Sequence, residues 1–441
     1  MTATTRPPSA PTEICQQTAE EDRGRHHCGR AWRLPPTAAT RILVLGAGYG
    51  GLTCALRLGR RLRGRIDAAE IEVVLVDRNP YHLLETRLHE AAARGVEVTI
   101  PVSKLISKRP VRFVQANVSG IDIRRHAVLT AGGAIDWDIL VVALGSRSID
   151  FGIPGIRQHA FELKTLDDAR SLRGHLRARF SEADRETDPA RRRWLRRIIV
   201  GGGGLTGVEA ATELGERVRR LTRAKLGSRD GGEILMVEAA ERLLPAHDPS
   251  IADKIADLVH RSGIRVLTGT RIDAVGAEHI RLSTGEVLRA GTVVWTGGVR
   301  ASEILENSGL ETSQQGRVTV DATLRLRHAA DVFVIGDAAL FVDPDTGDPV
   351  PMAAQFALQQ GRLAADNIVA RVNGTDERVY RPRVLGEVIS LGRHLAVGWL
   401  ALGWGGRLRM TGFLASLLKR AIGERHLASL WRESRRWTRP G

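Results

Sequence analysis

Two copies of one local pattern constrain the fold of this 441-residue chain more than any other feature of its sequence. In each copy a hydrophobic strand runs into a glycine-rich turn and then into a helix, once over residues 41–58 and again over residues 197–214. The first glycine of such a turn permits a tight bend, the second admits a pyrophosphate, and the third lets the helix pack on the strand. The spacing G-x-G-x-x-G is met by Gly46, Gly48 and Gly51, and again by Gly202, Gly204 and Gly207.

An acidic residue ends the next strand in both copies. Asp77 closes the strand "IEVVLVD", and Glu238 closes "EILMVE". A carboxylate at this point can hydrogen-bond the diol of a ribose, so each copy predicts a dinucleotide-binding unit. Glu238 would repel a 2′-phosphate and therefore favours NADH over NADPH, although Arg242 keeps NADPH open. Two units predict two different dinucleotides, a flavin and the nicotinamide that reduces it.

A third strand indicates where the flavin lies. The stretch "HAADVFVIGDAA" ends in Gly336 and Asp337, and the carboxylate could accept hydrogen bonds from the ribityl chain of FAD. Alone, Asp337 would be read as an ordinary strand-end cap. Two further strand-to-glycine transitions, which contain Gly145 and Gly298, resemble crossovers between domains, and we expect both glycines to border the cofactors.

Composition excludes several other classes of protein. The net charge is +15, but no nucleic-acid-binding motif accompanies it, so no nucleic-acid partner is predicted. The three cysteines, Cys15, Cys28 and Cys54, have neither disulfide nor metal-site spacing, so no metal is predicted. No apolar run reaches the roughly 18 residues of a transmembrane helix. Residues 1–40 lack apolar periodicity and are predicted to be a disordered tail.

Five segments together resemble the flavoproteins that bind two dinucleotides, and most closely the type II NADH:quinone oxidoreductases. They are "GAGYGG", "DRNPYH", "GGGGLTGVEAATEL", "IGDAA" and "AAQFALQQG". The resemblance implies an α/β fold with two Rossmann-like domains, in which the FAD domain is split by the NAD domain. The implied division is FAD domain 41–155 and 311–375, NAD domain 156–310, and C-terminal region 376–441.

The resemblance also implies roles for particular residues. It places the FAD ribose acid on Asp77, the NAD ribose acid on Glu238 and the ribityl acid on Asp337. It places a glutamate near the nicotinamide and flavin on Glu209, and glutamines beside the flavin and quinone on Gln355, Gln359 and Gln360.

The residue types are compatible with these roles, but they leave other interpretations open. Gln355 and Gln359 share one helix face and could bind a quinone carbonyl, or they could be solvated at the start of a helix. Glu209 could be only a first-turn acid favoured by the helix dipole. The segment "LLETRLHEAA" replaces the family's usual phenylalanine and Pro-Leu-Leu run, so the pocket near the flavin could differ in shape.

The C-terminal region predicts a strand pair over residues 386–400 and then an amphipathic helix. The apolar stripe of that helix is formed by Phe413, Leu414, Leu417, Leu418, Ala421 and Ile422. Basic residues surround or follow it, namely Arg407, Arg409, Lys419, Arg420, Arg425, Arg432, Arg435, Arg436 and Arg439. This pattern is typical of a helix on an anionic membrane surface, but it also fits a helix that covers its own domain.

The predicted function is a relay in which NADH passes a hydride to FAD and a quinone then takes two electrons, with no proton pumping. The expected location is the inner face of the cell membrane, attached peripherally from the cytoplasm. Two alternatives remain open: a reductase of a ferredoxin- or rubredoxin-type carrier protein, and an NADH-sensing flavoprotein without turnover. The sequence also leaves a homodimer open.

Overall fold

The computed structural model describes residues 39–223, 232–402 and 406–434. The predicted tail up to residue 38, with Cys15 and Cys28, lies outside these ranges, as do Arg435, Arg436 and Arg439. Within the described ranges, no helix has both the length and the hydropathy needed to cross a bilayer.

The elements follow one another in three stretches of chain. The first contains β1 (Thr40–Leu45), α1 (Tyr49–Arg61), α2 (Arg63–Asp67), β2 (Ile71–Asp77), β3 (Tyr81–Leu83), a 3₁₀ turn (Glu85–Arg87), α3 (Leu88–Arg94), β4 (Thr99–Pro101), α4 (Val102–Ile106), β5 (Arg112–Gln115), β6 (Val118–Asp122), β7 (Ala127–Thr130), β8 (Gly133–Asp136), β9 (Ile139–Val142) and β10 (Ser146–Ser148). The second contains α5 (Ile156–His159), α6 (Leu166–Arg185), α7 (Pro189–Leu195), β11 (Ile198–Gly201), α8 (Leu205–Arg223), β12 (Ile234–Val237), α9 (Pro249–Arg261), β13 (Arg265–Leu267), β14 (Ile272–Val275), β15 (His279–Leu282), β16 (Val287–Arg289), β17 (Thr292–Trp295) and β18 (Val299–Ala301). The third contains α10 (Ile304–Asn307), β19 (Val318–Thr319), β20 (Arg325–Leu326), β21 (Ala329–Val334), a 3₁₀ turn (Gly336–Ala338), β22 (Ala339–Leu340), α11 (Ala354–Val372), β23 (Gly386–Ser390), β24 (Ala396–Ala401), β25 (Arg407–Gly412) and α12 (Phe413–Ser434).

The larger sheet draws its strands from the first and third stretches. Its order is β20-β21-β9-β1-β2-β5, and all neighbours pair in parallel except β20, an antiparallel edge strand. The central strand β1 reads "TRILVL", and Ile42 to Leu45 have no exposed surface. Such continuous apolar runs are expected of parallel strands that are covered by helices on both faces.

The smaller parallel sheet comes entirely from the second stretch, in the order β13-β12-β11-β17. Strand β10 at the end of the first stretch pairs antiparallel with β18 at the end of the second. The polypeptide therefore passes from the larger sheet to the smaller one and back along this two-stranded ribbon. The expected α/β class with two dinucleotide-type sheets is confirmed by this topology.

The C-terminal region holds more regular structure than the sequence predicts. Strands β23 and β24 pair antiparallel within the range expected for a strand pair, and β25 adds a third strand. Helix α12 follows directly. Helix α2 forms within the basic stretch 60–70, between α1 and β2. Its ends are joined by an ion pair between Arg63 and Asp67, one helical turn apart.

Candidate functional site

The first glycine turn has the geometry of a phosphate cradle. Gly46 has a φ of +101°, and a Cβ there would lie 2.2 Å from the carbonyl oxygen of Ala143. A Cβ on Gly48 would meet nothing within 4 Å, so the turn presents bare backbone to open space. A Cβ on Gly51 would lie 2.0 Å from the Gly46 oxygen, which brings helix α1 against strand β1. These are the three separate demands that the motif makes on glycine.

The second glycine turn repeats this geometry. Gly202 has a φ of +106°, a Cβ on Gly204 would again meet nothing within 4 Å, and a Cβ on Gly207 would lie 1.9 Å from the Gly202 oxygen. Helix α8 starts at Leu205 and directs its free N–H groups at this space. Both turns can therefore accept a pyrophosphate, the group that FAD and NADH have in common.

The two strand-end acids each hold their own glycine turn. Asp77 accepts hydrogen bonds from the N–H groups of Ala47 and Asn79, both at 2.7 Å. Glu238 accepts from the N–H groups of Gly203 and, at 2.7 Å, Ala240. Burial raises the pKa of Asp77. Since a carboxylate can accept about four hydrogen bonds, each acid retains acceptor capacity for a ribose diol.

One cavity of about 1350 Å³ brings together part of the predicted site, whereas Gly202, Gly204, Gly207, Glu238 and Gly298 of the second unit do not line it. Its walls come from the start of α1, the segment 83–90, the start of α8, the turn after β21, helix α11, strand β23 and helix α12. The predicted site residues among its walls are Gly48, Asp77, Gly145, Glu209, Gly336, Asp337, Gln355 and Gln359. The volume exceeds the roughly 300–1,000 Å³ of a pocket for one small ligand, so it suits more than one.

Glu209 is the centre of a buried polar cluster at the junction of four elements. Its Oε1 accepts hydrogen bonds from the N–H and the Oγ of Ser390, both at 3.0 Å, and from the ammonium of Lys419. The Nζ of Lys419 also donates to the Ser390 Oγ at 3.0 Å. The Nδ1 of His89 lies 3.6 Å from Glu209 Oε2. Glu209 is therefore tied to the C-terminal region rather than standing as a solvated first-turn acid.

Lys419 corrects one part of the sequence interpretation. We expect it among the cations that face the membrane, but its side chain turns inward to Glu209. The inward face of α12 is the stripe Ala415, Lys419, Gly423, His426, Leu430 and Glu433, at spacings of three and four. Burial lowers the pKa of Lys419 to about 8, and the pKa of His89 is lowered by burial and by nearby cations, Lys419 first. The helical spacing of Lys419 with small and apolar residues is the sequence signal that could have identified it as an inward-facing residue.

A second acid lies one helical turn beyond Glu209. Glu213 is buried against Arg94, whose guanidinium lies 3.1 Å from it and 2.9 Å from Glu90. Burial raises the pKa of Glu213 to about 7. All three residues line the same cavity, and sequence reasoning singled out none of them.

The three predicted glutamines have different surroundings. Gln355 and Gln359 line the cavity, and their amides hydrogen-bond the backbone of residues 383–386. Gln360 is only 1% exposed, and its Oε1 accepts from the N–H of Gly336 at 2.6 Å. We interpret Gln360 as a residue that positions the Gly336 turn, because its amide faces the protein interior.

Asp337 takes part in a polar chain that the sequence analysis did not foresee. The Oγ of Ser146 donates to Asp337 at 2.5 Å, the Nζ of Lys164 donates to Ser146 at 2.9 Å, and Lys164 also contacts Glu85. The turn backbone is set by Gly145 and Gly336, with φ values of +68° and +67°. Gly298, at +159°, lies beside β18 on the ribbon between the sheets.

The fold and the cavity define a pyridine nucleotide-disulphide oxidoreductase, and the family model of that description matches residues 40–361. The type II NADH:quinone oxidoreductase of Staphylococcus epidermidis is 35% identical over 398 residues, which cover 88% of this chain and 96% of the relative. The enzyme of the same name from Staphylococcus aureus is 36% identical over 368 residues, or 81% of this chain and 89% of the relative. This chain therefore belongs to the type II NADH:quinone oxidoreductase family, as its sequence motifs predict.

Solved structures share the fold at low sequence identity. NDH2 from Plasmodium falciparum in complex with NADH matches with a TM-score of 0.77 at 15% identity, over 90% of this chain and 97% of the other. A sulfide:quinone oxidoreductase from Aquifex aeolicus matches with a TM-score of 0.72 at 18% identity, over 90% and 92%.

Proposed function

We propose that this protein oxidises NADH and passes the electrons through FAD to a quinone, without pumping protons. The observation that carries the proposal is one cavity whose walls include the first glycine turn, the start of helix α8 directly after the second glycine turn, and helix α11. Gly48 and Asp77 of the first unit, Glu209 of the second and Gln355 of α11 all line it. Dinucleotides held at the two turns would meet at this cavity, where a hydride could pass directly from one to the other.

FAD fits the first unit. The bare backbone at Gly48 would accept its pyrophosphate, Asp77 would bind its adenosine ribose and Asp337 its ribityl chain, with Gly46, Gly51, Gly145 and Gly336 shaping the turns. Bound FAD supplies the redox chemistry, since it takes up a hydride from NADH and releases two electrons. The protein contributes orientation and charge around it.

NADH fits the second unit. Gly202, Gly204 and Gly207 would form its cradle and Glu238 would bind the adenosine ribose, while Gly298 lies beside β18 on the ribbon between the two sheets. The carboxylate of Glu238 would repel a 2′-phosphate, which supports NADH as the preferred donor. Arg242 lies four residues later, and its Nε and Nη2 lack a hydrogen-bond partner within the described chain, so NADPH is the competitor to test.

Conversion of a quinone to a quinol requires two protons as well as two electrons. Lys419 is placed to supply one, since its ammonium lies in the cavity wall, bound to Glu209 and Ser390. Its pKa of about 8 makes it a stronger acid than an exposed lysine while leaving it largely protonated at neutral pH. The other proton is the one that arrives with the hydride of NADH, and Glu209 would orient the ammonium.

Of the glutamines, Gln355 is better suited than Gln359 to bind a quinone carbonyl. Both N–H groups of Gln359 are used, toward the carbonyls of Gln355 at 3.2 Å and Arg383 at 2.8 Å. Gln355 makes one long contact from its amide nitrogen, 3.5 Å to the Gly386 carbonyl, so one N–H group is left for a ligand.

We propose peripheral attachment to the inner face of the membrane through α12. Its outward stripe is exposed, with Phe413 at 55% and Leu414 at 71%, and Leu417 and Ile422 continue it. Arg420 and Arg425 flank the stripe and would meet anionic headgroups. A lipid-soluble quinone makes such an attachment useful, because the cavity is lined by the same helix.

An anaerobic absorption titration tests the relay. The purified protein should have a flavin spectrum, NADH should bleach it, and a soluble quinone should restore it. Absence of a flavin would defeat the proposal. Bleaching without recovery would favour the carrier-protein reductase if a ferredoxin or rubredoxin restores the colour, and the sensor if neither acceptor does.

A vesicle experiment tests the attachment. The protein should co-sediment with vesicles of phosphatidylglycerol, and L414D/L417D should lose most of that binding while keeping NADH-dependent bleaching. A matched pair on another surface, V287D/V342D, should bind as the wild type does. Equal binding of both variants would overturn the role of α12.

Light scattering of the purified protein without vesicles would test whether it forms a homodimer.

A further inference from the structure

A polar chain of four residues crosses the cavity wall beside Asp337. Lys164 lies in its middle, with a side chain only 14% exposed, and donates to Ser146 at 2.9 Å while its ammonium also contacts Glu85. Ser146 in turn donates to Asp337. All four residues line the cavity, yet Lys164, Ser146 and Glu85 belong to neither glycine motif. Lys164, Ser146 and Glu85 are therefore polar groups that the proposed relay does not use.

Lys164 and Glu85 lie on backbone that is fixed by other contacts, and the Lys164 side chain is only 14% exposed, whereas that of Glu85 is 40% exposed toward the cavity. The N–H of Lys164 donates to Asp168 at 3.1 Å, and Asp168 forms the capping box at the start of α6. Glu85 begins the 3₁₀ turn whose Thr86 hydrogen-bonds Tyr49 of α1 at 3.0 Å. Both charges are thus anchored to secondary structure.

The charges in this chain do not cancel. Among the four residues of this polar chain, Glu85 and Asp337 carry carboxylates and only Lys164 carries an ammonium. Burial raises the pKa of Glu85, and Lys164 opposes that rise. Arg317 also lies near Asp337, but its guanidinium is buried and committed to the carbonyls of Ala339 at 2.8 Å and Val350 at 2.7 Å. Lys164 is therefore the cation of the cavity wall that is linked to Asp337, through the hydroxyl of Ser146.

The position of Lys164 gives this charge a consequence for FAD. If Asp337 binds the ribityl chain, Lys164, which is linked to Asp337 through the Ser146 hydroxyl, would be a cation close to the bound flavin. Reduction adds negative charge to the isoalloxazine ring of the flavin, and a fixed cation in a partly enclosed site stabilises the more negative state. Glu85 attenuates that effect.

We propose that the Lys164–Glu85 pair sets the reduction potential of the bound FAD, with Lys164 raising it and Glu85 lowering it. The inference rests on the proposed function, because it requires FAD at Asp337. Both are positioning residues that act through charge. Glu85 falls in "LLETRLHEAA", the segment in which this chain departs from its family's pattern, so the departure gains a role in adjusting the flavin.

The test is the midpoint potential of the bound flavin, measured by anaerobic titration with an indicator dye and without turnover. K164Q should shift the potential to more negative values, and E85Q should shift it to more positive values. We expect a change of about tenfold or more in the equilibrium constant for reduction, which is about 30 mV for a two-electron couple. The double variant E85Q/K164Q should lie between the single variants, and K164R should restore the wild-type value.

Two surface variants are matched controls. Lys254 on α9 and Glu286 after β15 are exposed and do not line the cavity. K254Q changes the net charge by the same amount as K164Q, and E286Q by the same amount as E85Q. Both controls should leave the reduction potential of the flavin unchanged. A K164Q potential equal to that of K254Q would overturn the inference while the proposed function stands. A wild-type protein without flavin would instead defeat the proposed function. If K164Q loses its flavin, E85Q and K164R still decide the question.

Discussion

The two glycine-rich units have nearly the same turn and differ in what covers it. The α1 turn is approached by backbone: a Cβ on Gly361 of α11 would lie 2.3 Å from the oxygen of Gly50, and one on Gly50 would lie 3.2 Å from the oxygen of Ala357. In the α8 unit the position that corresponds to Gly50 is Thr206, which is exposed and lines the cavity. The first turn is therefore packed against helix backbone, whereas the second is open at the same position.

This difference teaches that a shared motif fixes the local turn, while the packing around it decides how long a ligand stays. The first unit is closed by α11 and by His426 of α12, whose ring lies 4.9 Å from that of Tyr49. We expect it to retain FAD through many turnovers. The second unit is reached from the C-terminal region through the Glu209 cluster and should exchange its dinucleotide.

The largest effect is expected from substitutions that disrupt one glycine turn at a time. G51A would bring a Cβ to 2.0 Å from the Gly46 oxygen, and G207A to 1.9 Å from the Gly202 oxygen. We expect a loss of about 1–3 kcal/mol of stability in each. G51A should be purified without flavin, whereas G207A should keep its flavin but no longer be bleached by NADH. G64A, at a position with free space, is the control. Loss of flavin from G207A as well would contradict the comparison.

The next effect concerns the link between the second unit and α12. K419M should leave bleaching by NADH intact and slow recovery by quinone about 10²-fold, as expected for loss of a general acid. In the wild type, recovery should slow as the pH rises past about 8, because Lys419 then loses its proton. Stopped-flow rates from pH 6 to 9 check both points. A pH profile of K419M that still falls near 8 would assign the proton to another group.

A smaller effect separates the two acids. E238A should raise the KM for NADH about tenfold and relax discrimination against NADPH, since a charge-assisted hydrogen bond contributes roughly 1.5–3 kcal/mol. D77N should leave the ratio of the two KM values unchanged and weaken FAD instead. Steady-state kinetics with both nicotinamides decides it. An unchanged preference in E238A would remove Glu238 from the site.

The smallest effect tests the closure of the first unit. Burial lowers the pKa of His82 to about 4 and that of His426 to about 3, and their Nε2 atoms lie 3.3 Å apart. Because the unfolded imidazoles take up protons first, stability should fall as the pH drops from about 6.5 to 4. H426Q should reduce that fall by about 1 kcal/mol, discounted for solvent contact. Thermal melts at pH 7 and 4.5 measure it, with the exposed H328Q as control.

The sequence predicts the features that depend on neighbours along the chain. Both glycine turns, the strands that lead into them and the acids that end β2 and follow β12 obey short-range rules of backbone geometry. Helix α12 is foreseeable for the same reason, from the spacing of its apolar residues. Family membership follows from these local motifs and is confirmed by relatives at about one third identity.

The residues that the sequence analysis missed depend on distant parts of the chain. Lys419 reaches Glu209 across 210 positions, and Lys164 reaches Glu85 across 79. A helical pattern ranks a lysine as a surface cation, because burial of an ammonium costs free energy unless a partner is present. That partner becomes known only with the tertiary structure. Gln360 illustrates the converse, a motif residue whose amide serves the backbone of Gly336.

Helix α12 is fastened at both ends. Lys419 near its start binds Glu209 of the smaller sheet's helix, and Glu433 near its finish lies 3.0 Å from Arg60 and 3.6 Å from Arg57 of the larger sheet's helix. The wall that it forms cannot exist until this late segment has left the ribosome. A nascent chain could therefore collapse around both sheets and still present an open, unfinished chamber. Competence to pass electrons would arrive abruptly, at the last stage of synthesis.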